Sequence, residues 1–228
     1  MRQLILNIRP HIECSLDNFV PGDNADLLAA LAQQLARRDG SVLYLWGEPG
    51  SGRTHLLHAA VAAAHQRATQ FIAADAWQTP VEADGALIVI DDVQATNAEA
   101  QGDIFRALIR ARDLQTSLII AGDAPAHRLP IRDDVSSRIA QGLTFEIKPL
   151  ADEQKAATLL QHARSRGMTV GPEIVNYLLR HGRRDLPWLM AVLDALDEAS
   201  LSLSRPVTLP LLRDIIKDAA PAQTDDNA

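Results

Sequence analysis

Hydrophobic positions in the first 150 residues fall into short apolar runs separated by stretches with helical periodicity. Five runs rich in aliphatic and β-branched residues predict buried strands; they are SVLYLW, TQFIAA, ALIVID, SLIIAG and LTFEI. The first helical stretch, residues 25–38, is predicted to end at Gly40, a residue typical of helix C-termini. Because strands that alternate with helices usually form a parallel sheet covered on both faces, this region predicts an α/β domain.

The pattern changes after Lys148 and Pro149, where only helical periodicity remains. Leucines and a methionine recur on one face of the third of these helical stretches, which predicts packing in a helical bundle. The predicted organisation is a flexible leader (1–16), an α/β domain (17–148), a small all-helical domain (149–219) and a disordered tail (220–228).

Composition excludes several classes of function. The net charge of −7 argues against strong direct binding to DNA, because that affinity comes largely from Lys and Arg at the phosphates. Aromatic residues make up only 4% of the chain, too few for an array of base-stacking platforms. Cys14 is the only cysteine, and no apolar run approaches the roughly 20 residues of a membrane span. We therefore expect a cytoplasmic protein with no membrane partner.

The stretch GEPGSGRTH resembles a phosphate-binding loop with one unusual residue. Gly47, Gly52 and Thr54 match the pattern GxxxxGK[ST], whereas Arg53 replaces the lysine. A plain tight turn is the alternative, but the loop lies between a predicted strand and a predicted helix, as the motif requires. The predicted nucleotide-binding residues are Gly47, Glu48, Pro49, Gly50, Ser51, Gly52, Arg53, Thr54 and His55. Since a guanidinium is not equivalent to an ammonium, binding is expected to survive better than catalysis.

Two acids, Asp91 and Asp92, end the apolar run LIVIDD. In phosphate-loop enzymes the first such acid and the loop threonine steady Mg²⁺, and the second can orient the attacking water. We therefore predict a magnesium site at Thr54 and Asp91, with Asp92 as a weaker catalytic candidate. The alternative is that these carboxylates cap the following segment.

Arg138 and the N-terminal stretch QLILNI each allow two interpretations. Arg138 lies four residues after Asp134, so an ordinary helical ion pair would explain it. It could also be an arginine finger that acts on a neighbour's nucleotide. The alternating pattern of QLILNI fits an edge strand or a linear peptide that docks on a partner.

Together, these motifs resemble the AAA+ module of the bacterial replication initiator DnaA and, more closely, the short members of the DnaA/Hda family. The resemblance covers nearly the whole chain. It rests on segments that follow the family's order: LDNFVPGDNADLLAAL, LYLWGEPGSGRTHLLHA, LIVIDDVQ, LIIAGDAP and VSSRIAQGLTFEIKPL. It implies an AAA+ phosphate-loop domain with a parallel sheet, followed by a small helical lid domain.

The resemblance also implies roles for single residues. Phe19 and Val20 would contact the adenine, Asp123 would be sensor-like, and Arg138 would be the finger supplied in trans. The peptide that binds the sliding clamp of DNA polymerase III would use Gln3, Leu4, Leu6 and Ile8. One family arginine, expected on a lid helix, aligns with Pro187, which leaves Arg183 and Arg184 as candidates to replace it.

The function implied by the resemblance is regulatory. Bound to the DNA-loaded clamp, such a protein promotes hydrolysis of ATP on DnaA and so represses re-initiation of replication. Its cofactors would be ADP or ATP with Mg²⁺, its own ATPase would be weak or absent, and a homo-oligomer is left open. The family's initiators carry a basic DNA-reading domain after the lid, and we expect none here. An autonomous ATPase, such as a loader or nucleoside kinase, is the alternative function, and a DNA-binding initiator fragment is a third.

Overall fold

The computed structural model describes residues 14–183, 185–203 and 206–219. These residues form two units that divide between Leu150 and Ala151. The first unit is an α/β domain, and the second is a set of helices.

A parallel sheet of five strands forms the centre of the first unit, with the strand order β2-β3-β4-β1-β5. The strands are β1 (Val42–Trp46), β2 (Thr69–Ala73), β3 (Leu87–Asp91), β4 (Ser117–Gly122) and β5 (Leu143–Glu146). The helices are α1 (Ala25–Ala36), α2 (Arg53–Ala63), α3 (Ala98–Arg110) and α4 (Asp133–Ala140). All five predicted strands are present, and the predicted α/β class is confirmed.

Each face of the sheet is covered by a separate hydrophobic core. Successive residues of a strand point to opposite faces, so Leu43 and Tyr44 of β1 belong to different cores. α1 and α2 cover one face with buried leucines, while Ile104 of α3 and Val135 of α4 pack on the other. β3 and β4 are buried along their full length, as expected for strands covered on both sides.

The strand order determines where a site forms. β1 lies between β4 and β5, and β3 lies on the other side of β4. The loops after β1, β3 and β4 therefore emerge at one edge of the sheet, where ligands of such folds bind.

Gly40 does not end α1, so that prediction is wrong. The helix stops at Ala36, and Arg37 is already extended. Gly40 has φ +70° and lies in the following turn, where a Cβ atom would come 2.4 Å from the carbonyl oxygen of Ala111. Close approach of two backbone segments, and not helix capping, requires glycine here.

The second unit contains α5 (Asp152–Ser165), α6 (Pro172–His181), α7 (Leu186–Leu203) and α8 (Leu209–Ala219). Their shared core includes Leu159, Leu178 and Leu212 and the fully buried Leu189, Leu193 and Leu196 of α7. The predicted leucine face of α7 thus packs in a helical bundle. None of the helices described is both long enough and apolar enough to cross a membrane.

Candidate functional site

The glycine loop, residues 47–54, follows β1 and includes the first two residues of α2. Gly50 and Gly52 have φ values of 82° and 100°, a region that strains residues with a side chain. A Cβ atom on Gly47 would lie 2.7 Å from Ser51 Oγ and 2.9 Å from the carbonyl oxygen of Ile147. The loop therefore needs its glycines, and it leads into the N-terminus of an 11-residue helix, where backbone N–H groups favour an anion.

Phe19 and His55 lie beside this loop. A Cβ atom on Gly52 would lie 3.0 Å from Cε2 of Phe19, and the ring centroids of Phe19 and His55 are 5.8 Å apart. His55 Nε2 lies 3.3 Å from the carbonyl oxygen of Ser15, and burial lowers the pKa of His55. The segment before α1 is thus held against the loop. Val20, the second predicted adenine contact, is half-buried.

Thr54 and Asp91 meet at the carboxyl edge of the sheet. Thr54 Oγ1 donates a hydrogen bond of 2.7 Å to Asp91 Oδ2, and the backbone N–H of Asp92 donates to Asp91 Oδ1 over 2.9 Å. Asp91 is only 5% exposed, and this burial raises the pKa of its carboxyl group, although the bond from Thr54 lowers it. Two oxygen ligands of the kind that Mg²⁺ accepts are therefore adjacent.

Asp92 faces the arginine of the loop. Arg53 Nη1 lies 3.3 Å from Asp92 Oδ1, and Gln94 Nε2 donates to the same oxygen over 2.9 Å. Asp92 has φ +51°, an unusual value for a residue other than glycine. Its side chain does not cap the short 3₁₀ helix Val93–Ala95 that follows, so the capping interpretation does not hold for Asp92.

Unpartnered polar atoms concentrate at this site. Within the part of the chain that the structure describes, three buried side-chain atoms make no hydrogen bond: Ser51 Oγ, Arg53 Nη1 and Gln94 Oε1. Arg53 Nη1 has the ion-pair contact with Asp92 at 3.3 Å, but this contact is not a hydrogen bond. Buried polar atoms are normally paired, so an orphan of this kind calls for an explanation such as a missing ligand. Ser51 and Arg53 belong to the loop itself, where a phosphate group would supply acceptors.

Tyr44 lies beneath the site, and its role was not predicted from the sequence. Its hydroxyl donates to the carbonyl oxygen of Ala124 over 2.5 Å. Burial raises the pKa of Tyr44 well above the ordinary value, the carboxylate of Asp123 raises it further, and Arg53 lowers it. Tyr44 thus anchors the segment after β4 that carries the exposed Asp123.

Arg138 is exposed on α4, and the ion pair with Asp134 is absent. Asp134 is instead bound by Arg132, whose Nε and Nη2 atoms lie 3.1 and 2.5 Å from the two carboxylate oxygens. Across the described ranges, Arg138 makes no ion pair and no side-chain hydrogen bond. Val135 and Ile139 are fully buried and fix the helix to the sheet. The interpretation of Arg138 as an ordinary helical ion pair is therefore wrong.

Several predicted site residues are not placed at this site. Gln3, Leu4, Leu6, Ile8 and Arg184 lie outside the described residues. Arg183 is 71% exposed, with its Nε atom 3.4 Å from Asp185, and Pro187 is the second residue of α7. Their predicted roles stay predictions.

Among the residues that the structure describes, side chains alone do not form a metal cage. In residues 14–183, 185–203 and 206–219, no group of three or more His, Cys, Asp or Glu side chains could hold a metal ion. Thr54 and Asp91 fit a Mg²⁺ ion of the kind that takes its other ligands from a nucleotide and water.

Two family models match the chain. The model described as "Hda, lid domain" matches residues 152–216, and the model described as "Bacterial DnaA ATPAse domain" matches residues 11–76. The two matches lie on different units of the structure, in the order that the sequence motifs predict.

Solved structures show the same fold at low identity. Domain III of DnaA from Thermotoga maritima is 19% identical, with a TM-score of 0.72, and 92% of this chain aligns with 98% of that one. AMPPCP-bound DnaA from Aquifex aeolicus is 20% identical, with a TM-score of 0.68, covering 85% of this chain and 68% of that one. A RuvB mutant from Thermotoga maritima is 15% identical, with a TM-score of 0.67, covering 90% and 74%.

This chain spans about two thirds of the length of three of the initiator structures that it matches. The AAA+ fold follows from these likenesses, and the lid match narrows the family. The chain therefore belongs to the DnaA-related AAA+ proteins, with a lid of the Hda type.

Proposed function

We propose that the site binds ADP or ATP together with Mg²⁺. Ser51 Oγ and Arg53 Nη1, which make no hydrogen bond, support a phosphate group in the loop, and the adjacent Thr54 and Asp91 support the metal. Phe19 supplies an aromatic surface beside the last glycine of the loop, which fits a nucleobase. The proposed nucleotide-binding set is Phe19, Val20 and residues 47–55.

The bound nucleotide has a structural and regulatory role in this proposal, with little turnover. Asp92 is the acid that would orient an attacking water, but its Oδ1 atom already faces both Arg53 and Gln94. An oxygen that already accepts an amide hydrogen bond and contacts a guanidinium is less free to orient a water molecule. Arg53 thus grips the phosphates and restrains Asp92.

We further propose that Arg138 acts on ATP bound to DnaA. The observation that carries this proposal is the exposed guanidinium of Arg138, which has no carboxylate partner among the described residues although α4 itself is firmly packed. An arginine finger must be unpaired and must be held by a rigid element. The match to the Hda lid model supports DnaA as the partner.

The peptide with Gln3, Leu4, Leu6 and Ile8 is proposed to tether the protein to the sliding clamp. Tethering raises the effective concentration near newly replicated DNA without a further contact to DnaA. In this account the protein lowers the level of ATP-bound DnaA after replication begins, and so represses re-initiation.

Hydrolysis of DnaA-bound ATP tests the proposal directly. Clamp loaded on DNA is mixed with ATP-bound DnaA and with the wild-type protein, Arg138→Ala or Arg112→Ala. Arg112→Ala is a matched control, because Arg112 is also exposed but precedes β4, at the opposite edge of the sheet. We expect stimulation by the wild type and by Arg112→Ala, and none by Arg138→Ala. Equal rates with all three would contradict the proposal. Rapid ATP turnover by the isolated protein would instead indicate an autonomous ATPase.

Clamp binding has its own test. Gln3→Ala and Leu6→Ala are expected to weaken binding to purified clamp by at least about tenfold, because each removes a side chain that fills a pocket on the partner. Ile5→Ala is the matched control, since Ile5 occupies a variable place in the peptide. Unchanged binding by Leu6→Ala would exclude the peptide as the tether.

A further inference from the structure

Hydrogen bonds extend from the acidic end of β3 into the segment that follows it. Asp91 accepts the backbone N–H of Asp92, and the short 3₁₀ helix then begins. Thr96 Oγ1 donates to the carbonyl oxygen of Val93 over 2.6 Å. Thr96 is 7% exposed, so this contact is shielded from water. The position of Thr96 is thus fixed relative to the candidate magnesium site.

Gln101 extends this series of hydrogen bonds from Thr96 to the start of α4. Its Nε2 atom donates to the carbonyl oxygen of Thr96 over 2.9 Å, and its Oε1 atom accepts the backbone N–H of Arg132 over 3.0 Å. A glutamine is suited to this place because its amide is both a donor and an acceptor. Gln101 is 8% exposed, although it lies on a helix whose buried face is otherwise largely apolar. Both ends of this buried amide are satisfied.

Arg132 directly precedes α4 and is its N-cap residue. Its carbonyl oxygen accepts the backbone N–H groups of Val135 and Ser136, which form the first turn. Arg138 lies six residues after Arg132, on this eight-residue helix. A shift of Arg132 would therefore reach the first turn of the short helix that carries Arg138.

The backbone is strained at Asp92, where this series of hydrogen-bonded residues begins. Its φ of +51° is a left-handed conformation that aspartate adopts at some cost and that persists only where its surroundings hold it. Asp92 is also the partner of Arg53 in the glycine loop. A ligand that binds Arg53 or Asp91 would thus change a contact of Asp92, the first residue of the hydrogen-bonded series that leads to α4.

We propose that Gln101 is a positioning residue that couples occupancy of the nucleotide site to the orientation of α4 and Arg138. The proposal rests on the proposed function only in that the site takes an adenine nucleotide with Mg²⁺. Nucleotide binding to this chain would then regulate the finger that the chain offers to its partner.

Amide hydrogen exchange of the isolated protein, with and without Mg²⁺–ADP, tests the coupling without DnaA or the clamp. In the wild type, we expect ADP to slow exchange at least about threefold both in residues 47–57 and in residues 129–140, because both segments become more ordered. In Gln101→Met, the first segment responds as before and the second does not. Methionine is similar in size but cannot link Thr96 to Arg132.

Two further variants sharpen the test. Gln34→Met removes another buried glutamine, which bonds to Ser41 and Leu118 and lies outside this series, so it should behave as the wild type. Gln101→Glu retains an acceptor for Arg132 but loses the donor to Thr96, so it should behave as Gln101→Met. A normal response of residues 129–140 in Gln101→Met or Gln101→Glu would overturn the proposal. So would a wild type in which ADP protects only the glycine loop.

Failure of the proposed nucleotide binding gives a different result. In that case ADP changes exchange in neither segment of the wild type, which overturns both proposals together. Protection confined to the glycine loop overturns the coupling alone and leaves the proposed nucleotide binding intact.

Discussion

Thr54 Oγ1 lies 2.7 Å from Asp91 Oδ2, so the first turn of α2 and the end of β3 share one hydrogen bond at the carboxyl edge of the sheet. The contact joins residues that are 37 positions apart in the sequence. It brings a hydroxyl and a carboxylate to the place where a metal ion would meet the phosphates of a nucleotide in the glycine loop.

Thr54→Val is predicted to reduce the Mg²⁺-dependent part of ADP affinity by at least about tenfold, because it removes one proposed metal ligand and the partner of another. Titration of a fluorescent ADP analogue with and without Mg²⁺ measures the effect. Thr158→Val is a matched control, since among the described residues Thr158 Oγ1 bonds only to the carbonyl oxygen of Gln154 in the lid helix α5. Equal Mg²⁺ dependence in both variants would contradict the assignment.

Asp91→Asn is predicted to stabilise the nucleotide-free protein relative to the wild type at neutral pH. Burial raises the folded-state pKa of Asp91, so the folded protein holds this proton more tightly than the unfolded chain does. The free energy of unfolding of the wild type therefore falls as the pH rises from the ordinary pKa of aspartate through the raised pKa of Asp91. The asparagine variant lacks this loss because its side chain does not ionise.

Urea unfolding of both proteins between pH 4.5 and 7.5 measures this difference. The stability of Asp91→Asn relative to the wild type should grow as the pH rises and then level off. A difference that is constant with pH would show that ionisation of Asp91 does not cost folding free energy. The variant should also lose Mg²⁺-dependent ADP binding, which separates its stability from its function.

Arg53→Lys is predicted to increase the protein's own ATP turnover by about tenfold. A lysine is a compact charge that engages the phosphates without the planar fork of arginine, so Asp92 is released to orient water. Steady-state phosphate release from the isolated protein is the measurement. Adding Asp92→Asn should abolish the gain. No increase in Arg53→Lys would show that Arg53 does not restrain Asp92.

Tyr44→Phe is predicted to lower the free energy of unfolding by about 1–2 kcal/mol, because it leaves the carbonyl oxygen of Ala124 without its hydrogen bond. Tyr177→Phe is the control, since no hydrogen bond of the Tyr177 hydroxyl is found among the described residues. Thermal unfolding of the two variants compares the losses. Equal losses would mean that the bond from Tyr44 contributes nothing net.

The α/β class and the glycine loop could be predicted because their signals are local. Apolar runs separated by helical periodicity define the strands, and the glycines of the loop are required by backbone geometry at Gly50 and Gly52. The proximity of Thr54 and Asp91 also follows from the rule that parallel strands end at one edge of the sheet.

Side-chain partners were harder to predict, because spacing along a helix does not decide between competing cations. Asp134 has Arg138 four residues later, but α4 begins at Asp133, so Arg132 precedes the helix and its side chain folds back onto the same carboxylate. The bridging role of Gln101 depends on contacts with two other segments. Its only local signal is a glutamine on the buried face of α3.

Single-turnover hydrolysis of ATP preloaded on DnaA, with clamp on DNA and increasing amounts of Arg138→Ala or wild type, tests the central claim most directly. The account predicts that Arg138→Ala and the wild type reach half of their maximal rates at similar protein concentrations. The hydrolysis rate at saturation should be lower by about 10³-fold or more with Arg138→Ala, because a finger acts in the transition state. An unchanged saturating rate with a weaker association would contradict it, because Arg138 would then be a docking contact and not a finger.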